Sequence, residues 1–289
     1  MKFNSEDDAK KYADNIMIGH IQLHEAEHLI DRYKSYQESA HNLEDKEFWR
    51  RAIQDLDDHI NSDELKEGKY PKGIDTLIIE MIDWRAAMYA FQHAEISPKP
   101  FQEHAFYAQW FMGGTYVIFC ILGKLVSKHS QDKSLRRLWT EVSHYIKCSG
   151  LCSKDEVEII DNKMQRTEGH FTNQNSSMMR FRNKVIAHNE GYPIVKWVEI
   201  DEDIKLLCRI WSLISMWSSI GITEPFRPSQ QAFSGLDSIF TPLEIRALSE
   251  QHNIYIEKVE SWCTHSLVDN SKVSKRSPFR KISVSTEVH

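Results

Sequence analysis

The chain has 289 residues and a formal net charge of −6, and 41% of its residues are hydrophobic. This acidic balance argues against a protein that coats nucleic acid through its overall charge. Only 11 glycines and 8 prolines interrupt long stretches in which polar and apolar residues recur with helical spacing. The pattern predicts an all-α protein.

The amino-terminal segment, residues 1–70, is predicted to form a helical hairpin. Its first helix should run from about residue 5 to residue 39, because Ile16, Leu23 and Ile30 recur at seven-residue spacing. A second helix should span about residues 44 to 60. The polar stretch 61–73, which contains Pro71, should be a loop.

The first helix contains a short motif that is typical of zinc peptidases. His24, Glu25 and His28 match the pattern H-E-x-x-H, and His20 precedes them by one more turn. Two histidines four residues apart on a helix can share one metal ion, with the intervening glutamate as a general base. No sheet is predicted beside this helix to hold a peptide substrate. We therefore expect a solvated histidine and glutamate stripe without a metal or other cofactor, and keep a zinc metallopeptidase as an alternative.

Four helices should follow, at about residues 74–95, 101–130, 133–147 and 154–165. The second of them is the most apolar and should be the central core element. Its longest apolar run, Trp110 to Leu122, is too short to span a bilayer. Five scattered cysteines suggest reduced thiols, and the charged start MKFNSEDDAKKY does not resemble a secretory leader. We expect a soluble, cytoplasmic protein with no membrane partner.

A second set of metal-ligand residue types lies near the end of the third of these helices. His144, Cys148 and Cys152 are each four residues apart, but Ser149 and Gly150 should interrupt the helix between them. A structural zinc ion needs four ligands, and no second ligand pair is near in the sequence. We expect no zinc site here.

The stretch "RFRNKVIAHNEGYP", residues 180–193, carries the main candidate site. Apolar residues recur at helical spacing here, which predicts an amphipathic helix from about residue 174 to residue 189. Gly191 and Pro193 should end that helix. His188 then lies in its last turn, where the helix dipole favours the imidazolium form. Between residues 163 and 184, five Lys or Arg residues stand against one Glu, so the surroundings are locally basic.

The rest of the chain should complete a helical bundle, residues 71–222, and add one helix to it. Residues 193–200 predict a short extended piece, and Asp201 should cap a helix that runs to about residue 220. Residues 223–264 should form a linker and a C-terminal helix, which opens with a capping box at Thr241, Pro242 and Glu244. Residues 265–289 form a basic, serine-rich tail that we expect to be disordered.

The nonamer "RNKVIAHNE" resembles the signature of the HEPN superfamily. It is most similar to the abortive-infection branch, whose motif reads R-N-K-x-x-A-H followed by an acidic residue. The resemblance extends over the predicted bundle, in which two long helices precede the motif helix and one amphipathic helix follows it. It implies a HEPN-like helical bundle with the amino-terminal hairpin and the C-terminal helix added. Glu190 stands one place later than the acidic residue of the motif, so no role is carried over to it.

The resemblance implies a metal-independent endoribonuclease whose catalytic residues are Arg182, His188 and Asn183. Arg180 and Lys184 would then contact the RNA. Six residues of α-helix rotate a side chain by about 240°, so one helix cannot easily direct both Arg182 and His188 at one phosphate. Two copies related by a two-fold axis can do so, which matches the dimeric composite sites of HEPN ribonucleases. We therefore expect a homodimer.

The chemistry that the resemblance implies uses two histidines. A neutral His188 would take the proton of a ribose 2′-hydroxyl, and the protonated His188 of the second copy would donate to the leaving 5′-oxygen. Arg182 would hold the scissile phosphate, and Asn183 would orient the groups.

Such a hydrolase would be a toxin or an antiviral defence effector, acting on RNA and held in check by an antitoxin or a sensor protein. The alternative is a HEPN dimer without catalytic activity that binds a nucleotide or a partner protein.

Overall fold

The structure is a computed structural model that describes residues 3–20, 23–67, 72–96, 105–186, 195–219, 222–223, 226, 232–268 and 279–280. Within these ranges the fold is all-α, as predicted, with eleven α-helices and one π-helical turn. The α-helices are α1 Glu6–Ile18, α2 Leu23–Ser39, α3 Leu43–Asn61, α4 Asp63–Lys66, α5 Ile74–His93, α6 Ala105–Leu125, α7 Leu135–Ser149, α8 Lys154–Met164, α9 Ser177–Phe181, α10 Trp197–Ser218 and α11 Pro242–Thr264. The chain forms two compact units, one of Met17–Gly73 and one of Met1–Ile16 with Ile74–His289.

The smaller unit is built on the pair α2 and α3. Ala26, Ile30 and Leu56 form its buried apolar cluster. Asn42 caps α3, because its side chain accepts a hydrogen bond from the backbone N–H of Asp45. The second predicted helix is thus confirmed, whereas the predicted loop after it contains the short helix α4.

The prediction of one helix for residues 5–39 is wrong, because the helix is interrupted at Gly19. Helix α1 ends at Ile18 and α2 begins at Leu23. Gly19 has a φ of +70°, and a Cβ at this position would lie 2.2 Å from the backbone nitrogen of Gly73. A residue in the left-handed conformation that lies this close to another backbone segment has to be glycine. The seven-residue apolar spacing continues across the break, which is why the sequence predicted one helix.

The larger unit is centred on α10. Fifteen of the residues of α10 are buried, and the helix packs against α7 and α11, while α5 packs against α6 and α11. The sequence predicted the apolar helix α6 as the central element, and this is wrong for its amino-terminal half. Phe106 and Met112 are exposed there, whereas Ile118 and Leu122 are buried.

Helix α6 is long and apolar enough to cross a membrane by length and composition, although the sequence had suggested too short a run. Of its most apolar 18-residue window, 28% is buried inside the fold. A core helix of a folded domain meets the same two criteria.

The predictions that Asp201 caps a helix and that an extended piece precedes it are both wrong. Helix α10 begins at Trp197. The carboxylate of Asp201 instead accepts from Nε and Nη2 of the buried Arg85, at 2.9 and 2.8 Å. The guanidinium also lies 4.5 Å from the ring centroid of Trp197, and Tyr255 donates its hydroxyl to the same carboxylate at 2.9 Å. Asp201 therefore forms a tertiary ion pair with Arg85 and not the helix cap that the sequence predicted.

The C-terminal helix α11 begins with the predicted capping box, in which Thr241 and Glu244 bond reciprocally. This helix packs on α5 and α10 and belongs to the larger unit. Residues 222–223 and 279–280 pair as two short parallel strands, β1 and β2. Of the tail that the sequence predicted to be disordered, residues 269–278 and 281–289 lie outside the described residues.

Candidate functional site

The motif helix begins at a side-chain cap and is anchored by apolar residues. Ser176 accepts a hydrogen bond from the backbone N–H of Met179 and so caps α9. Met178 and Phe181 are buried, and the ring of Phe181 meets the ring of Phe119 on α6 edge-on, with centroids 5.0 Å apart. These contacts fix the motif helix against the buried half of α6.

Immediately after α9 the helix widens into a π-helical turn, Arg182–Ile186, which contains the R-N-K part of the motif. Among the described residues of the predicted helix, 174–186, only the five residues Ser177–Phe181 are α-helical, so a single α-helix through residues 174–189 is wrong. A π-turn bonds residue i to residue i+5 and is frequent at functional sites. The predicted rotation of about 240° assumed ideal α-helix from position 182 onward, and residues 182–186 are not α-helical.

Arg182 is held in place by a glycine of α6. A Cβ built on Gly123 would lie 2.2 Å from Nε and 2.5 Å from Cδ of Arg182, so the side chain occupies the space that a larger residue would fill. Arg182 donates from Nη1 to Oδ1 of Asn183 at 3.0 Å, and Asn183 donates from Nδ2 to Oδ1 of Asn173 at 2.6 Å. This chain of hydrogen bonds orients a half-buried guanidinium at the protein surface.

Arg180 and Lys184, the residues predicted to contact RNA, are both exposed. They flank Arg182 in the chain and supply positive charge on the same short segment. His188, the predicted proton-transfer residue, lies in residues 187–194, which are outside the described residues. The structure therefore brings together Arg182 and Asn183.

A histidine and aspartate pair that the sequence reasoning missed lies beside the start of the motif helix. His170 Nε2 bonds to Oδ1 of the buried Asp203, and Oδ2 of Asp203 accepts from Ser176 Oγ at 3.4 Å. A carboxylate that accepts from one imidazole nitrogen orients the ring and leaves the other nitrogen as an acceptor. No local pattern marks this pair, since its members are 33 positions apart and His170 lies in a loop.

The histidine stripe of the zinc-peptidase alternative is not one helical face. His20 precedes the start of α2, and Glu25 and His28 lie on it, with His28 exposed. The side chain of His24 lies outside the described residues. Among the residues that the structure describes, no group of three His, Cys, Asp or Glu side chains could hold a metal ion.

The set at His144, Cys148 and Cys152 is interrupted as predicted. Gly150, with a φ of +72°, ends α7 in the left-handed conformation, so Cys152 leaves the helical face. All five cysteines are free thiols.

No protein-family model, curated protein or solved structure matches this chain. The resemblance to the HEPN superfamily therefore depends on the motif residues and on the order of the helices around them.

Proposed function

We propose that the protein is a metal-independent endoribonuclease of the HEPN type, acting in the cytoplasm as a toxin or an antiviral defence effector of the abortive-infection kind. The position of Arg182 supports this proposal most strongly. An arginine that lies against Gly123, is oriented by Asn183 and has basic neighbours is suited to bind a phosphate. The free thiols of the chain suit the reducing cytoplasm.

In this proposal Arg182 binds the scissile phosphate and the charge that develops on it, while Arg180 and Lys184 bind neighbouring phosphates. One His188 accepts the proton of the 2′-hydroxyl, which then attacks phosphorus. The His188 of a second copy donates a proton to the leaving 5′-oxygen. The products are a 2′,3′-cyclic phosphate and a 5′-hydroxyl end. Asn183 positions the guanidinium and transfers no proton in the reaction.

A homodimer is part of the proposal, because the two histidines come from two copies. Helix α6, which packs against residues 177–186, leaves the apolar side chain of Met112 exposed. We propose that Met112 lies in the contact between the two copies. Light scattering at micromolar concentration is expected to give a mass of two chains of 33.9 kDa each.

Met112→Glu is expected to shift the protein towards the monomer and to reduce cleavage with it. The matched control is Leu243→Glu, which also replaces an exposed apolar residue but lies at the start of α11. A monomeric wild-type protein with intact cleavage would exclude the composite site.

Gly123→Ala is expected to reduce cleavage at least about tenfold, because the added methyl group displaces Arg182 and small misplacements at a reacting centre cost much of the rate. The control is Gly113→Ala on the same helix, where a Cβ meets nothing within 4 Å. That control should leave cleavage unchanged and raise the free energy of unfolding by up to about 1 kcal/mol, because alanine favours helix. Cleavage assays and urea unfolding measure both effects. Equal cleavage by the two variants would mean that the position of Arg182 does not matter.

A further inference from the structure

An open pocket of about 330 Å³ lies in the smaller unit, where α2 ends and α3 begins. Its volume is at the lower end of the range of small-molecule binding sites. The residues that line it are Tyr36, Ser39, Ala40, His41, Asp45 and Trp49. All of them belong to residues 17–73, whereas the motif segment, 177–186, belongs to the other unit. An inference about this pocket therefore does not depend on RNA cleavage.

Two aromatic rings line the pocket and meet at an angle. The ring centroids of Tyr36 and Trp49 are 5.0 Å apart, and the ring planes are tilted by 53°. Tyr33 and Phe48 also contact the ring of Trp49, with centroids at 5.1 and 5.0 Å, and so hold it in place. Tyr36 is nevertheless 43% exposed. Two rings at such an angle form a corner in which one small group can touch both of them.

The charge around the pocket is negative. Between residues 35 and 47, four Asp or Glu residues stand against one Lys. Asp45 lines the pocket, and its carboxylate accepts from the uncharged side chain of Asn42 at 2.7 Å, so this contact leaves its charge in place.

The two helix ends at the pocket add to this negative charge. Helix α2 has 17 residues, and its last turn has no basic side chain to offset the negative end of its dipole. At the adjoining start of α3, Glu44 and Asp45 offset the positive end. The pocket therefore favours a cation.

The aromatic corner and the carboxylate together suit an ammonium ion that carries alkyl groups. The faces of Trp and Tyr attract a cation that lies within about 6 Å of the ring centroid, and aromatic sites of this kind recognise quaternary ammonium ligands. The ammonium of an unmodified lysine is strongly hydrated and would lose that hydration in the corner. Methyl groups on the nitrogen instead supply apolar surface that packs on the rings, while the charge remains.

We propose that this pocket binds a quaternary ammonium group, with its methyl groups against Tyr36 and Trp49 and its charge balanced by Asp45. Choline and trimethylated lysine both carry this group. Choline would bind as a free small molecule, and trimethylated lysine as a side chain of a partner protein. The pocket recognises the chemistry that the two share, so separate titrations distinguish the sources.

The test is a ligand-observed NMR titration of the full chain at about pH 8, where an ordinary histidine is neutral. The probes are choline and the acetylated amide of trimethyllysine. The control ligand is the neutral alcohol in which a tert-butyl group replaces the trimethylammonium group of choline. Choline is expected to bind at least about tenfold more tightly than this alcohol, which has the same shape and no charge. Binding of either cationic probe supports the proposal, and the tighter of the two identifies the source.

Two variants test the two parts of the pocket separately. Tyr36→Leu removes a ring and keeps an apolar side chain, and Asp45→Asn removes the charge and keeps the shape. Each should weaken choline binding about three- to fivefold. The controls are Phe48→Leu and Asp55→Asn, which make the same changes on α3 outside the pocket lining and should bind choline as the wild type does.

The proposal is wrong if neither cationic probe binds or if the neutral alcohol binds as tightly as choline. It is also wrong if Tyr36→Leu and Asp45→Asn bind choline as well as the two controls do. If Tyr36→Leu does not fold, Asp45→Asn and the neutral alcohol still decide the question. Each of these failures leaves the RNA-cleavage proposal unaffected, since the residues concerned belong to the smaller unit.

Discussion

His188→Ala is expected to abolish detectable RNA cleavage. The cleavage rate should fall by at least about 10²–10⁴-fold, because one proton-transfer group is lost from each copy of the shared site. In the sequence His188 lies just before Gly191 and Pro193. A histidine beside these two helix-breaking residues is expected to make little packing, so its loss should change the free energy of unfolding by less than about 1 kcal/mol. Cleavage rates and thermal unfolding of the same preparation separate the two effects.

The matched control is His144→Ala, which removes an exposed histidine that also follows an arginine, Arg137, by one to two helical turns. It should cleave RNA as the wild type does. Arg182→Lys should lose most of the activity, because lysine keeps the charge but cannot bind phosphate through two parallel hydrogen bonds. If cleavage persists in His188→Ala and disappears in His170→Ala, the proton transfer belongs to the imidazole that Asp203 orients, and our assignment is wrong.

Arg209→Met is expected to lower the free energy of unfolding by about 3–5 kcal/mol, because it leaves a buried carboxylate without its partner. Arg209 donates to both oxygens of Glu156, at 2.9 and 3.1 Å, and to the carbonyl of Cys263 at 2.8 Å. Arg209 and Glu156 are 2% and 1% exposed. The three residues lie on α10, α8 and α11, so the loss removes a contact common to three helices. Urea unfolding followed by circular dichroism measures the change.

The control for this variant is Lys205→Met, one turn earlier on α10. Lys205 pairs with Glu202 at 3.9 Å near the surface, where such pairs contribute less than about 1 kcal/mol. A small effect of Arg209→Met, similar to that of the control, would show that the buried pair does not hold the three helices together.

Helix ends marked by local chemistry could be predicted from the sequence. The capping box at Thr241 and Glu244 and the stop at Gly150 are both present in the structure. The break at Gly19 could not be predicted, because the glycine is required by Gly73, which is more than fifty positions away. Asp201 was misread for the same reason, since its partner Arg85 is 116 positions away.

The residues of the candidate site also differ in whether local sequence could predict them. Arg182 and Asn183 could be predicted because the motif is contiguous. Gly123, His170 and Asp203 could not, because each becomes part of the site only through a tertiary contact. The π-helical turn at Arg182 also has no local signal in the sequence, since its apolar residues keep the spacing of an ordinary helix.

The most direct test of the central claim is the chemistry of the RNA ends produced in excess EDTA. A pool of synthetic single-stranded RNA is incubated with the wild-type protein and with His188→Ala, and the new termini are identified by mass spectrometry. The account predicts 2′,3′-cyclic phosphate and 5′-hydroxyl ends with the wild type and intact RNA with the variant. Cleavage that requires a divalent ion, or that leaves 5′-phosphate ends, would contradict it.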